Sequence, residues 1–268
     1  MADITVRKMD FPFPEDVPLV AAPSSLERSM GMLGLSFTLP HLEPYLIRTM
    51  RVGVKQATDP VIAQDMRNFS AQEGYHFRNH AKINEIILSK MTPEFADEMR
   101  QIEAEMEADY QLYTKEKSLK WNLAYAEGFE AMTFIMAMGI LEKGFEGVDK
   151  SWATLMEWHM AEEIEHCSVT FNAYHHLFGG YLYRVRVGFA AQKHFMGYVI
   201  RFAECATRDP KVQALVEGVE QELGEDPKEM GRKVLRTHLP TYSPLKVAIP
   251  DRVNTILEKY TDMAPATG

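Results

Sequence analysis

The chain has 268 residues, 46% of them hydrophobic and 25% charged. This is ordinary globular usage, which excludes a disordered polymer and allows one large domain or two small ones. A net charge of −9 without a basic block argues against nucleic acid or an anionic membrane as the main partner. The two cysteines, Cys167 and Cys205, fit a reducing compartment and supply no disulfide framework. No uncharged apolar run reaches the about 18 residues of a membrane span. The nearest approach, 181–202, is interrupted by Arg184, Arg186, Lys193 and Arg201. The first eight residues lack a signal-peptide stretch, so a cytoplasmic location is expected.

In chain order, Pro12, Pro14, Pro18 and Pro23 predict an extended lead-in. Helical patterning begins near Ser25. It predicts one segment over 25–36, before Pro40, and a second over 41–55. Thr58-Asp59-Pro60 punctuates, with Asp59 placed to cap a long helix over 60–91. Thr92-Pro93 restarts a helix to about Glu116. The segment 118–142 is apolar on all sides (Trp121, Leu123, Phe129, Met132, Phe134, Ile135), as expected of a helix in the middle of a bundle. After a loop near Gly144, one helix is predicted over 151–178, ended by Gly179-Gly180, and another to about Arg208. The tail is broken at Pro210, Pro227, Pro240, Pro244 and Pro250. No segment alternates with period two, so the fold class is all-α.

Within this frame one phrase occurs twice. Glu73-x-x-His76 is followed by His80, and His159 precedes Glu163-x-x-His166. With 100° per residue, Glu73, His76 and His80 fall at about 0°, −60° and −20° on their helix. His159, Glu163 and His166 fall at about 0°, 40° and −20°. Glu162, at about −60°, is the reserve, and Glu165, at about −120°, falls outside. Two such helices joined by a Glu from each of two others form the dinuclear carboxylate site of a helix bundle. Glu127, on the apolar helix, is the first such candidate, because a lone buried carboxylate is costly unless neutralised or bound to a cation. Glu43 is the second, although a carboxylate near a helix start is also explained by the macrodipole. Glu130 is a ligand variant or a hydrogen-bonding neighbour. The expected metal set is therefore Glu43, Glu73, His76, His80, Glu127, His159, Glu163 and His166, with His80 as ligand or supporting partner. Glu162 and Glu130 are the candidate acid–base residues. Single Glu-x-x-His pairs are commonly solvated-face residues; it is the doubling, with a third His on each face, that points to metal.

The chain resembles a ferritin-like family labelled predicted metal-dependent hydrolase. The resemblance is carried by Phe11-Pro12-Phe13-Pro14-Glu15-Asp16, by Gln72-Glu73-x-x-His76-x-x-x-His80-x-x-x-Asn84 and by Trp158-His159-x-x-Glu162-Glu163-x-Glu165-His166. It implies a ferritin-like four-helix bundle with peripheral helices: a lead-in (1–24), a metal-binding helical domain (25–208), and a helical extension packed on it (209–268). The middle segment departs from the family pattern, with Gly128 after Glu127 where a His is usual. The ligand order also resembles that of diiron arylamine N-oxygenases.

Seven or eight carboxylate and imidazole donors exceed what one tetrahedral zinc uses. They suit two octahedral-leaning ions, iron first, manganese or a mixed Mn/Fe pair second, and zinc last. The reading placed first is an oxidase or oxygenase that activates O2 at a diiron site to oxidise a small organic substrate, an amine among the options. Its partners would be that substrate, O2 and an electron donor, with a homodimer left open. The alternative is a metal-dependent hydrolase using metal-activated water. The third reading is a non-catalytic metal-binding protein.

Overall fold

The computed structural model describes residues 4–222 and 227–264. Every regular element among them is helical: α1 (Leu26–Val54), α2 (Pro60–Lys90), α3 (Pro93–Glu116), α4 (Leu119–Lys143), α5 (Lys150–Glu165), α6 (Val169–Leu177), α7 (Tyr181–Arg208), α8 (Pro210–Val216), α9 (Pro227–Leu235) and α10 (Asp251–Met263). Helix starts follow local chemistry. The Asp59 side chain accepts from the amides of Val61 and Ile62, with Pro60 at the first helical position, where its missing N–H costs nothing. Asp149 caps α5 through Ser151 and Trp152. Gly144, at φ 74°, ends α4 in a conformation that only glycine adopts freely.

The helices expected over 25–36 and 41–55 are one continuous helix, with Pro40 and Pro44 inside it. Pro40 cannot donate to the carbonyl of Ser36. That carbonyl instead accepts from the Asn84 side-chain amide of α2 at 2.9 Å, so a tertiary bond replaces the lost helical one. Glu43 consequently lies deep in α1 and not at a helix start. The helix expected over 151–178 is two, with the break at His166. Its amide still reaches Glu162, but Val169 bonds to the carbonyl of His166 in a tighter three-residue turn.

Helix α1 packs along α2, and α4 packs against α5 and α6. The donor cluster lies where α1, α2, α4 and α5 meet. Helix α7 lies across α1 and α4, so close that a Cβ at Gly128 would collide with the backbone of Gly188. This accounts for a glycine beside Glu127. Ile4, Met9 and Phe11 of the lead-in and Val253, Leu257 and Tyr260 of α10 belong to the same apolar core. Phe11 packs edge-on against Trp158, one position from His159.

Candidate metal centre

Seven side chains from four helices converge: Glu43 from α1, Glu73 and His76 from α2, Glu130 from α4, and His159, Glu163 and His166 from the α5 segment. They form three overlapping groups, Glu43/His76/His159, Glu73/Glu130/His166 and Glu73/His76/Glu163, each with donor atoms within 4.8 Å of one another. All are at most 2% exposed. His166 Nε2 lies 3.4 Å from both Glu130 and Glu163 and 3.6 Å from Glu73. His76 Nδ1 lies 3.5 Å from Glu73 and 3.6 Å from Glu163.

Both oxygens of Glu43, Glu73 and Glu130, one of Glu163, His76 Nδ1 and His166 Nε2 are buried without a hydrogen-bond partner. Native interiors rarely leave polar atoms so, and four carboxylates crowded out of water repel strongly. Burial, then the Glu163 charge, pushes Glu73 and Glu130 each up to about 8. Burial, then Glu73, raises Glu43 well above the carboxylate range. Burial would raise Glu163 too, but His166 and His159 outweigh it and hold it well below the usual value. His166 is raised well above an ordinary histidine: burial opposes this, and Glu163 and Glu130 outweigh it. Such a set is satisfied together only by protons or by cations, and the residues fit a metal centre. Four carboxylates carry four negative charges, which two divalent ions balance.

Each inward nitrogen faces the cluster because the opposite nitrogen of its ring is engaged. His76 Nε2 donates to Glu162 at 2.8 Å. His166 Nδ1 lies 3.0 Å from the Gln72 side-chain oxygen. For His159 the assignment follows along a chain. The Ser36 hydroxyl donates to Asn84 Oδ1 at 2.6 Å, so it accepts from His80 Nδ1 at 2.8 Å. His80 Nε2 then carries the lone pair that accepts from His159 Nδ1 at 2.7 Å. His159 Nε2 is left to face the cluster, 3.0 Å from Glu163 and 3.6 Å from Glu43. Outer hydrogen bonds of this kind fix the tautomer of a metal-binding histidine.

Three residues named from sequence therefore sit elsewhere. His80 has both nitrogens engaged and stands behind His159. Burial, then His159 and His76, holds it well below the usual histidine value, hence neutral. Glu162 has one oxygen on His76 and the other on Arg7, so it is spoken for as a support. Glu127 turns away to Arg184, with Oε1 2.6 Å from Nη1, and Glu130, one turn on, occupies the cluster instead. The buried neutralising cation that Glu127 needs is a guanidinium from α7. Burial still lifts Glu127 to about 7 against the pull of Arg184. Arg184 and Ser36 were not singled out in the sequence. Gln72, His76, His80 and Asn84 had a usable signal: a spacing of four places them in one stripe along α2.

Residues 5–247 match the family described as predicted metal-dependent hydrolase. The chain belongs to this family. As a predicted metal-dependent hydrolase it carries, in its buried His/Glu groups, side chains that could hold the metal such a description requires. No curated protein and no solved structure matches it. Among the described residues no helix is long and apolar enough to cross a membrane.

Proposed function

We propose that this protein binds two divalent metal ions through Glu43, Glu73, His76, Glu130, His159, Glu163 and His166, and uses them to hydrolyse a small organic substrate. The observation that carries the proposal is the set of buried donor atoms of Glu43, Glu73, His76, Glu130, Glu163 and His166 left without any partner. The family description fits hydrolysis better than oxidation by O2, the first reading of the sequence. Bound divalent ions supply a water of lowered pKa and polarise an ester, amide or phosphoryl oxygen.

The residues divide the remaining work. The four carboxylates balance the charge, with Glu73 common to two of the three donor groups. The histidines offer neutral lone pairs because Glu162, His80 and Gln72 hold their outer nitrogens. Phe69, fully buried and edge-on against the His166 ring, helps to exclude bulk water, which strengthens every charge interaction inside. A cavity of about 300 Å³ lies between α1, α4, α7 and α9, lined mainly by Met32, Leu35, Met136, Ile140, Met196 and Met230, with Glu27, Arg28 and Lys143 also on its wall. Leu35 is eight residues from Glu43, about 12 Å along the helix. An apolar acyl or aryl group suits such a lining.

A second reading is oxidation of a substrate by O2 at two irons. It is favoured by the donor balance, four carboxylates against three imidazoles, which is rich in hard oxygen ligands. Metal analysis followed by parallel assays separates the two. Ester or amide turnover without oxygen consumption supports hydrolysis; oxygen uptake by the reduced iron form, with no hydrolytic turnover under any metal, rejects it.

A further inference from the structure

Arg7, in the lead-in, is only 4% exposed although it precedes the first helix by nineteen positions. Its guanidinium forks toward two histidines of the centre. On one branch, Nη1 donates to Glu162 Oε1 at 3.1 Å, and Glu162 Oε2 accepts from His76 Nε2 at 2.8 Å. On the other, Nη1 and Nη2 donate to the two oxygens of Glu165 at 2.9 and 3.0 Å. Glu165 accepts from the Gln72 side-chain nitrogen at 2.6 Å, and the Gln72 oxygen thereby faces His166 Nδ1 at 3.0 Å. The far edge of the same group is tied to α10: Nε donates to the Leu257 carbonyl at 3.2 Å and to the Thr261 hydroxyl at 2.9 Å.

We propose that Arg7 is a positioning residue that fixes the ring orientation and tautomer of His76 and His166 for metal binding. A carboxylate only accepts, so Glu162 requires the proton on His76 Nε2 and turns the Nδ1 lone pair inward. An amide can present either end. The Glu165 carboxylate at 2.6 Å and the Thr5 carbonyl at 3.0 Å, both of which also accept from Arg7, commit the nitrogen of Gln72, leaving its oxygen to take the proton of His166 Nδ1 and turning Nε2 inward. Both carboxylates are themselves held in place by one planar fork. A lysine, which is a point donor on a flexible stem, cannot reproduce that fork. His159 depends on Ser36, Asn84 and His80 instead, so the effect of Arg7 stops short of it.

This inference rests on the metal-binding reading above, and the test separates the two. The full-length protein and its Arg7→Lys variant are loaded with zinc(II) alone, which is diamagnetic. Affinity is measured by chelator competition, and the outer ring N–H signals of His76, His166 and His159 are followed by 15N–1H NMR. In the variant, zinc binding is expected to weaken about 10- to 100-fold, the usual effect of losing a partner that orients a ligand. The ring N–H signals of His76 and His166 shift and exchange faster with water, while that of His159 stays. A general loss of structure would move all three. Wild-type affinity with unmoved His76 and His166 signals overturns the proposal. A wild-type protein that takes up no zinc overturns the metal reading itself. Should Arg7→Lys fail to fold, Glu165→Gln replaces it: the His166 signal alone is expected to change, and an unchanged signal is equally fatal.

Discussion

His80 Nε2 lies 2.7 Å from His159 Nδ1, and this contact between two neutral imidazoles decides which nitrogen of His159 looks into the donor cluster. With both ring nitrogens engaged, His80 is expected to act as a support for His159. His80→Phe removes the acceptor and frees the His159 ring. Calorimetric titration with manganese or zinc is expected to show affinity reduced by about 10- to 100-fold with unchanged stoichiometry. Loss of one ion per chain would instead make His80 a ligand.

Glu127 and Glu130 are one turn apart on α4 with opposite assignments. Glu130→Ala is expected to lower metal content, because Glu130 sits in the Glu73/His166 group. Glu127→Ala is expected to keep the metal but strand the buried Arg184 guanidinium. Breaking a buried pair from one side costs about 3–5 kcal/mol, readable as a lowered urea midpoint. Full metal occupancy in Glu130→Ala, or metal loss in a folded Glu127→Ala, reverses the assignment.

The metal-free protein should become less stable as pH rises from 6.5 to 8. Glu73 and Glu130 have folded values of about 8, far above an unfolded glutamate. Over this window the folded state therefore holds more protons than the unfolded one, and stability falls with pH. His166, raised by Glu163 and Glu130 against burial, acts in the same sense. His80 and His159, lowered first by burial, act in the opposite sense near pH 6.5, where an unfolded histidine is half protonated, and add little slope above about 7.5. Metal replaces the protons, so the melting-temperature gap between loaded and metal-free protein should widen across the window. A gap that stays constant or narrows contradicts this electrostatic account.

The all-helical fold class, the Asp59 cap and the two Glu-x-x-His faces were legible in the sequence because period and capping are local, whereas the joins within α1 and between α5 and α6 were not. What was not legible depended on contacts between distant segments. Pro40 reads as a helix stop until Asn84 supplies the bond that Ser36 lost. Glu127 and Glu130 both sit on an apolar helix, and their roles separate only when Arg184 arrives from α7. Arg7 gives no signal at all in the extended lead-in; only the folded chain brings it beside Glu162 and Glu165.

Gly128→Ala tests how closely α7 is seated over the centre. The new methyl group would meet the Gly188 backbone, which cannot move as a side-chain tip can. A loss of about 1–3 kcal/mol is expected in chemical unfolding, the usual range for overpacking. An unchanged unfolding midpoint would mean that α7 and α4 do not touch at that point.

Elemental analysis of the purified protein, after anaerobic loading with iron(II) or manganese(II) and desalting, shows whether the buried Glu/His cluster holds metal. Two tightly held ions per chain are expected, falling in a Glu73→Ala variant that remains folded. A wild-type chain that retains no stoichiometric metal, or a folded Glu73→Ala that retains both ions, would contradict this expectation.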